Sequence, residues 1–261
     1  MPFLFLSPSL QPFNEYAGGG NEQFYMNRIA DYMEPLLIAN GIQYKRNNID
    51  TNLRTSINES NSGNYDLHLA LHSNASAPSM AGTLRGTDVY YRTGSSKGAR
   101  AAEIIADNFR KISPTPNLVN AIATSELSEL NLTKAPAVLI ETAYHDNLSD
   151  ALWIKNNLYN IANNIVQSLT IYFGIPFNDN VFAPYVASVD VNGSTLNLRS
   201  RPDMSAPVIY RLPDNSKVLV LGRTGDWLIV NFPVPDEDSL YNGSFTQGIV
   251  GYVYSAYIRT P

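Results

Sequence analysis

The sequence predicts an α/β domain with a mostly parallel sheet flanked by helices, followed by a small all-β barrel. Apolar runs typical of strands alternate with amphipathic helical segments up to about residue 174. Beyond residue 186 only short β-type segments remain, separated by Gly, Pro, Asn and Asp. The 261 residues, 44% of them hydrophobic, suit one sizeable core and a smaller second one. We expect a first domain over 1–176, a linker over 177–186 and a second domain over 187–261.

The first domain begins with an apolar strand over residues 3–6, which ends in a loop at Ser7-Pro8-Ser9. A helix is expected over about 22–40, because apolar residues recur at helical spacing behind the candidate N-cap Asn21, and Pro35 should kink or break it. Further segments follow in alternation. Strands are predicted near 42–45, 66–72, 87–92 and 137–141, and helices near 53–60, 97–112 and 150–173.

Composition excludes several classes of protein. The net charge is −5, from 18 Lys and Arg against 23 Asp and Glu, which argues against a nucleic-acid binder and a polybasic membrane anchor. The apolar runs are too short for a membrane span. Cysteine is absent, so any metal must be held by His, carboxylate, amide or water.

Candidate catalytic residues fall where strands end. In the segment 66–72 the leucines alternate with His68, Ala70 and His72, so both histidines share one face of a strand. They are about 13 Å apart at roughly 3.3 Å per residue, too far to bind one ion. Glu141 ends the apolar strand 137–141, where an unpaired carboxylate is costly to bury.

These positions converge because ligands of open α/β sheets bind beyond the carboxyl ends of the strands. The loop 7–21, Glu22 in the first turn of its helix, His72 and Glu141 all belong to that edge. A histidine and two glutamates are the parts of a hydrolytic zinc site, with one carboxylate as ligand and the other as base. Each residue alone has an ordinary structural explanation, such as packing or complementing a helix dipole.

Four motifs in order resemble the zinc-dependent N-acetylmuramoyl-L-alanine amidases of the amidase-3 type, over about residues 3–174. They are Asn21-Glu22, Leu69-Ala70-Leu71-His72-Ser73-Asn74-Ala75, Gly86-Thr87-Asp88-Val89-Tyr90-Tyr91, and Pro136-Ala137-Val138-Leu139-Ile140-Glu141 with Asn147. The resemblance implies Glu22 and His72 as Zn²⁺ ligands and Glu141 as the general base that hydrolyses the amide joining N-acetylmuramic acid to L-alanine. Asn74 and Arg85 are candidate substrate contacts or loop-ordering residues.

One motif departs from the family. The family usually has Asp-Pro-Gly-His-Gly after its first strand, with the histidine as first ligand, whereas this chain has Ser7-Pro8-Ser9-Leu10-Gln11. Gln11 is nearest in the motif and offers an amide oxygen, although neutral oxygens suit harder cations better. His145 is the better ligand type and lies four residues beyond Glu141. We predict Gln11 as the third ligand by position and keep His145 as the alternative.

The residues from about 187 to 260 closely resemble a bacterial SH3 domain, with an apparent insertion from Pro233 to Gly248. The matching segments include Thr195-Leu196-Asn197-Leu198-Arg199, Gly225-Asp226-Trp227-Leu228-Ile229-Val230 and Gly251-Tyr252-Val253-Tyr254. The resemblance implies binding to the peptide part of peptidoglycan, which would tether the enzyme to its substrate. Trp227, Tyr252, Tyr254 and Tyr257 could belong to the core or to a binding groove.

The resulting hypothesis is a peptidoglycan hydrolase that acts outside the cell or in the cell wall. The N-terminal segment lacks the features of a secretory signal, so we expect either a removed leader, as in an autolysin, or phage-type release, as in an endolysin. The missing histidine motivates an alternative, a non-catalytic wall-binding protein with a degenerate amidase domain. A zinc peptidase acting within the stem peptide is a further alternative. The sequence does not indicate an oligomeric state.

Overall fold

A computed structural model describes residues 1–178, 185–232 and 249–260. The chain divides into two compact units, the first drawn mostly from residues 1–177 and the second mostly from the residues that follow. Part of the predicted linker 177–186 and the whole apparent insertion from Pro233 to Gly248 lie outside the described residues. Among the described helices, none is both long and apolar enough to cross a membrane.

The first unit contains a six-stranded sheet in the order β2-β1-β3-β6-β4-β5. Its strands are β1 (Phe3–Pro8), β2 (Gln43–Arg46), β3 (Leu67–Asn74), β4 (Thr87–Arg92), β5 (Val119–Thr124) and β6 (Ala137–Tyr144). Strands β2, β1, β3 and β6 are mutually parallel, while β4 and β5 are parallel to each other and antiparallel to β6. The predicted mostly parallel sheet is therefore confirmed.

Helices flank this sheet. They are α1 (Glu22–Ala39), α2 (Leu53–Asn61), α3 (Ser96–Phe109), α4 (Ser128–Leu132), α5 (Leu148–Asn156) and α6 (Leu158–Phe173). The central strands are buried: Leu4, Phe5, Leu69 and Val138 are wholly inaccessible to solvent. Strands that are apolar on both faces are typical of a sheet covered by helices on both sides.

Two helices differ from the expectation. Helix α1 is not broken at Pro35, which lies inside it. A proline in a helix costs about 3 kcal/mol, but Met26, Ile29 and Met33 on the same helix are fully buried, and tertiary packing of this kind outweighs a local penalty. The helix predicted over 150–173 is in fact two, because the backbone of Asn157 leaves helical geometry (φ −128°, ψ 19°) between α5 and α6.

Two elements were absent from the prediction, the edge strand β5 and the short helix α4. Neither has the apolar periodicity on which the prediction depended. Strand β5 is mostly half-exposed, and the five residues of α4 are too few to show a helical repeat.

The second unit is an all-antiparallel sheet in the order β13-β7-β10-β11-β12-β8-β9. Its strands are β7 (Tyr185–Val189), β8 (Thr195–Arg199), β9 (Val208–Pro213), β10 (Lys217–Thr224), β11 (Trp227–Phe232), β12 (Ile249–Tyr254) and β13 (Ile258–Arg259). Its core is built from aliphatic side chains, among them Val189, Leu198, Val220, Val230 and Val253. This confirms the predicted small all-β domain.

Candidate active site

The predicted site residues meet at the carboxyl edge of the central strands. In the parallel pairing of β3 with β6, His72 lies opposite Glu141. Glu22 begins α1, and Gln11 lies in the loop that follows β1. Four residues distant in the sequence thus come together because the ends of adjacent strands share one edge of the sheet.

Glu22 and Gln11 both contact Nδ1 of His72. Oε1 of Glu22 lies 2.8 Å from it and Nε2 of Gln11 lies 3.3 Å from it. Asn14 braces the group, since its Nδ2 donates to Oε2 of Glu22 at 2.5 Å and to Oε1 of Gln11 at 3.1 Å. Glu22 is almost fully buried, and the His72 side chain is 12% exposed.

The two contacts require different protonation states of Nδ1 of His72. Nδ1 of His72 must carry a proton to donate to Glu22 and must lack one to accept from Gln11, so both contacts cannot be hydrogen bonds together. A cation at this point would satisfy all three groups once the Gln11 amide turns its oxygen inward. Glu22 and Gln11 lie 2.8 and 3.3 Å from Nδ1, close enough for the three groups to share one small cation. The residues therefore fit a metal ion.

The donor set is unusual for zinc. Among the described residues, no group of three or more His, Cys, Asp and Glu side chains is arranged to hold a metal. The site has one imidazole, one carboxylate and one neutral amide, a set that depends on Gln11 where the family has histidine. Amide oxygens bind hard cations more readily than zinc, so the identity of the ion is open to measurement.

The charges in this cluster are set by burial and mutual contact. Burial lowers the pKa of His72, but hydrogen bonding to Glu129 and Glu22 outweighs it and raises that pKa well above its usual value. Burial likewise works to raise the pKa of Glu22, and the bond with His72 outweighs it, so the pKa of Glu22 is lowered. A negative Glu22 facing a positive His72 is therefore the metal-free state of this pair.

Glu141 is a buried residue whose carboxyl group is not fully hydrogen-bonded. Its Oε2 is buried and has no hydrogen-bond partner among the described residues. Burial, together with the nearby carboxylates of Glu22 and Asp88, raises its pKa to about 7, even though His72 works in the opposite direction. A general base is most effective when its pKa lies near the working pH.

Glu129 is a site residue that the sequence prediction missed. Its Oε2 lies 3.5 Å from Nε2 of His72, on the side of the ring opposite Glu22. Its Oε1 lies 2.9 Å from Nε2 of His68, so this carboxylate joins the two histidines of β3. The signal for it was faint, namely an acidic residue between Leu127 and Leu130 in a stretch without periodicity.

The alternative third ligand, His145, is placed elsewhere. Its Nδ1 lies 2.9 Å from the backbone oxygen of Ser73 and 3.1 Å from the Ser73 hydroxyl. The buried ring also stacks on Tyr16, with 5.4 Å between centroids. None of these contacts turns it toward Nδ1 of His72, so the structure brings Gln11, and not His145, to the cluster.

The two candidate substrate contacts have partners in the protein. Nε of Arg85 donates to the buried carboxylate of Asp150 at 2.7 Å. Nδ2 of Asn74 lies 3.5 Å from Asp88, and its Oδ1 accepts from the amide of Ala75. These contacts agree with a role in ordering loops.

A cavity of about 350 Å³ opens beside the cluster. Its lining includes Gln11, Phe13, Leu53, His72 and Glu129. Phe13 is largely exposed and Leu53 partly so, which gives the mouth of the cavity an apolar rim. A substrate can therefore reach His72 and Gln11 from solvent.

Comparison with protein families decides the assignment of the first unit. The family model for N-acetylmuramoyl-L-alanine amidase matches residues 13–170, more than half of the chain. The chain belongs to this amidase family. The amidase is thus a peptidoglycan hydrolase, and Glu22, His72 and Glu141 lie inside the matched region. The bacterial SH3 domain model matches residues 194–259.

Solved structures share the fold of the amidase domain. The catalytic domain of CwlV, an N-acetylmuramoyl-L-alanine amidase from Bacillus (Paenibacillus) polymyxa var. colistinus, is 19% identical with a TM-score of 0.57, covering 67% of this chain and 100% of its own. An N-acetylmuramoyl-L-alanine amidase from Clostridium difficile 630 is 19% identical with a TM-score of 0.58, covering 66% and 97%. The catalytic domain of the CD27L endolysin targeting Clostridia difficile is 23% identical with a TM-score of 0.56, covering 68% and 100%. No curated protein matches the chain.

The bacterial SH3 domain has a groove of its own. The groove, of about 670 Å³, is lined by Asp190, Arg199, Trp227, Tyr254 and Tyr257 among others. Trp227 is half-buried and packs edge-to-face on Tyr254, with 5.6 Å between centroids. These two aromatic residues therefore form part of a groove wall.

Proposed function

We propose that this amidase hydrolyses the bond between N-acetylmuramic acid and L-alanine with a zinc ion held by Glu22, His72 and Gln11, and with Glu141 as general base. The observation that supports it best is the buried, unpartnered Oε2 of Glu141 opposite His72 on the adjacent strand. A carboxylate is left in this state at a cost, and a reaction that uses it explains the cost.

The residues divide the work of the reaction. When bound, zinc would activate the attacking water and polarise the scissile carbonyl. Oε2 of Glu141 would take the proton that the water gives up and return it to the leaving amine nitrogen of L-alanine. Asn14 holds Glu22 in place by donating to its Oε2, and the cavity beside His72 admits the substrate.

The SH3 domain would concentrate the enzyme on its substrate. Aromatic residues and Arg199 line its groove, a composition that suits peptide binding. Tethering through this domain would raise the local concentration of stem peptides around the amidase domain. Such a protein would act outside the cell or in the wall, as an autolysin or as an endolysin.

The two alternative functions are a non-catalytic wall-binding protein, which would release no product, and a stem peptidase, which would release a different one. No observation on the described residues favours a non-catalytic wall-binding protein. A peptidase acting within the stem would use the same chemistry on a different amide bond.

The deciding experiment incubates the protein with purified peptidoglycan and identifies the new chemical ends. We expect free L-alanine amino groups without new reducing sugars, lost with a chelator and restored by zinc. Glu141→Gln should lower the rate at least about 100-fold, since the proton acceptor is removed while the shape is kept. New amino groups on another residue would indicate the stem peptidase. Sedimentation with the wall and no new ends would indicate the non-catalytic protein.

A further inference from the structure

A buried chain of alternating histidines and a carboxylate begins at His72. Nε2 of His72 faces Oε2 of Glu129 at 3.5 Å, and Oε1 of Glu129 lies 2.9 Å from Nε2 of His68. The chain ends at Ser60, whose Oγ lies 2.9 Å from Nδ1 of His68. Glu129, His68 and Ser60 are all buried, and His68 is wholly inaccessible.

Glu129 is itself held in a fixed position. Its Oε1 accepts a hydrogen bond from Ser7 Oγ at 2.6 Å in addition to its contact with His68. This leaves Oε2 for His72 alone among the contacts described for it. Ser7 lies on β1 and His68 on β3, so two strands of the sheet fix the carboxylate that α4 carries.

The contact with Glu129 favours one tautomer of His72. Nε2 of His72 and Oε2 of Glu129 lie within ion-pair distance, and an ionised carboxylate only accepts hydrogen bonds, so a hydrogen bond between them requires the proton on Nε2. The proton on Nε2 leaves the lone pair of a neutral imidazole on Nδ1, the nitrogen that faces Glu22 and Gln11. Histidines that bind metals commonly donate their other N–H to a carboxylate in this way.

We propose that Glu129 is a positioning residue, which by accepting the Nε2–H of His72 holds the imidazole with Nδ1 turned toward Glu22 and Gln11. This inference rests on the proposed function, because it treats His72 as a metal ligand. Glu129 does not bind the ion, since Nδ1 and Nε2 point away from each other on the ring. His68 and Ser7 in turn keep the carboxylate in place.

The first test observes the proton directly. The chain has only three histidines, so imidazole N–H signals in a ¹⁵N-labelled sample are few, and those of His72 are the ones missing from His72→Gln. We expect a His72 Nε2–H signal protected from solvent exchange, both without metal and with zinc. Glu129→Ala should abolish that protection. An unprotected Nε2–H in the unaltered protein would overturn the proposal, whether or not any variant folds.

The second test measures zinc affinity by competition with a chromophoric chelator. Glu129→Ala should weaken binding about 10- to 100-fold, and Glu129→Gln, which keeps an acceptor oxygen, should weaken it less. The control is Asp31→Asn, a buried carboxylate paired with Arg28 and Arg46, which should leave zinc affinity within about twofold. Thermal unfolding of each variant separates lost affinity from lost folding.

The outcomes distinguish the two proposals. Unchanged zinc affinity in both Glu129 variants would overturn the role of Glu129 and leave the metal site intact. Absence of zinc binding by the unaltered protein would refute the metal site, and the proton signal of the metal-free protein would then decide whether Glu129 orients His72.

Discussion

Replacing Glu141 with glutamine should change how the stability of the metal-free protein depends on pH. The burial of Glu141 raises its pKa from 4.5 to about 7. Each unit of pKa difference between the folded and unfolded states is worth about 1.4 kcal/mol, so the full difference corresponds to about 3 kcal/mol. That amount is large beside a typical domain stability of about 5–15 kcal/mol.

The direction follows from which state holds the proton. Between pH 4.5 and about 7 the folded protein keeps the Glu141 proton while the unfolded chain has lost it. The folded state binds more protons in this window, so the contribution of Glu141 to stability falls as the pH rises through it. Below 4.5 and above about 7 the contribution is constant. Glutamine is neutral throughout this range. The free energy of unfolding of Glu141→Gln, relative to that of the unaltered protein, should therefore rise by about 3 kcal/mol from pH 4 to pH 8.

The assay is denaturant unfolding with a chelator present, at pH 4, 5.5 and 8, followed by helical circular dichroism. This signal reports on the amidase domain because the described α helices lie between residues 22 and 173. The control is Glu103→Gln, an exposed glutamate on α3, whose stability difference should stay within about 0.5 kcal/mol at every pH. A Glu141→Gln difference that is independent of pH, or that falls as the pH rises, would refute the raised pKa and the burial argument for it.

Three further predictions address the other named residues. Gln11→Ala should lower the zinc content of the purified protein, measured by plasma emission, and His145→Ala should not. Equal zinc content in both variants and in the unaltered protein would exclude both residues as ligands. Asp150→Asn should cost about 1.5–3 kcal/mol in denaturant unfolding, because the buried Asp150 carboxylate accepts from the partly exposed Arg85 and from the Gly86 amide, and a loss below about 0.5 kcal/mol would contradict that role. Tyr257→Ala should reduce co-sedimentation with purified cell wall while leaving the amidase rate on soluble fragments unchanged, and equal sedimentation would remove this groove residue from wall binding.

The sequence alone determined the main strands and the residues at their ends. Period-two alternation around His72 and the apolar run before Glu141 identify β3 and β6, because burial on a pleated sheet imposes those patterns directly on the sequence. Once both strands belong to one parallel sheet, their carboxyl ends must share an edge. The tertiary structure decided that these two strands are neighbours and that the register sets His72 opposite Glu141.

Local sequence was a poor guide wherever packing outweighed it. Pro35 predicts a kink or a break in α1, and the helix is not broken there, because its buried face outweighs the local penalty. The continuous apolar pattern over 150–173 hides the break in the helix at Asn157. In both places the neighbours in space, and not those in sequence, set the backbone.

Only the tertiary structure decided which polar side chains surround His72. By residue type His145 is the better ligand than Gln11, yet its ring is turned to Ser73 while Gln11 lies 3.3 Å from His72. Glu129 carries no motif, and its place beside both histidines depends on α4 packing near β3 and β1. Burial leaves a repeating pattern along a strand or helix, whereas a contact between side chains 57 residues apart, as between His72 and Glu129, leaves none. The periodic part of the fold was therefore predictable and the polar cluster around His72 was not.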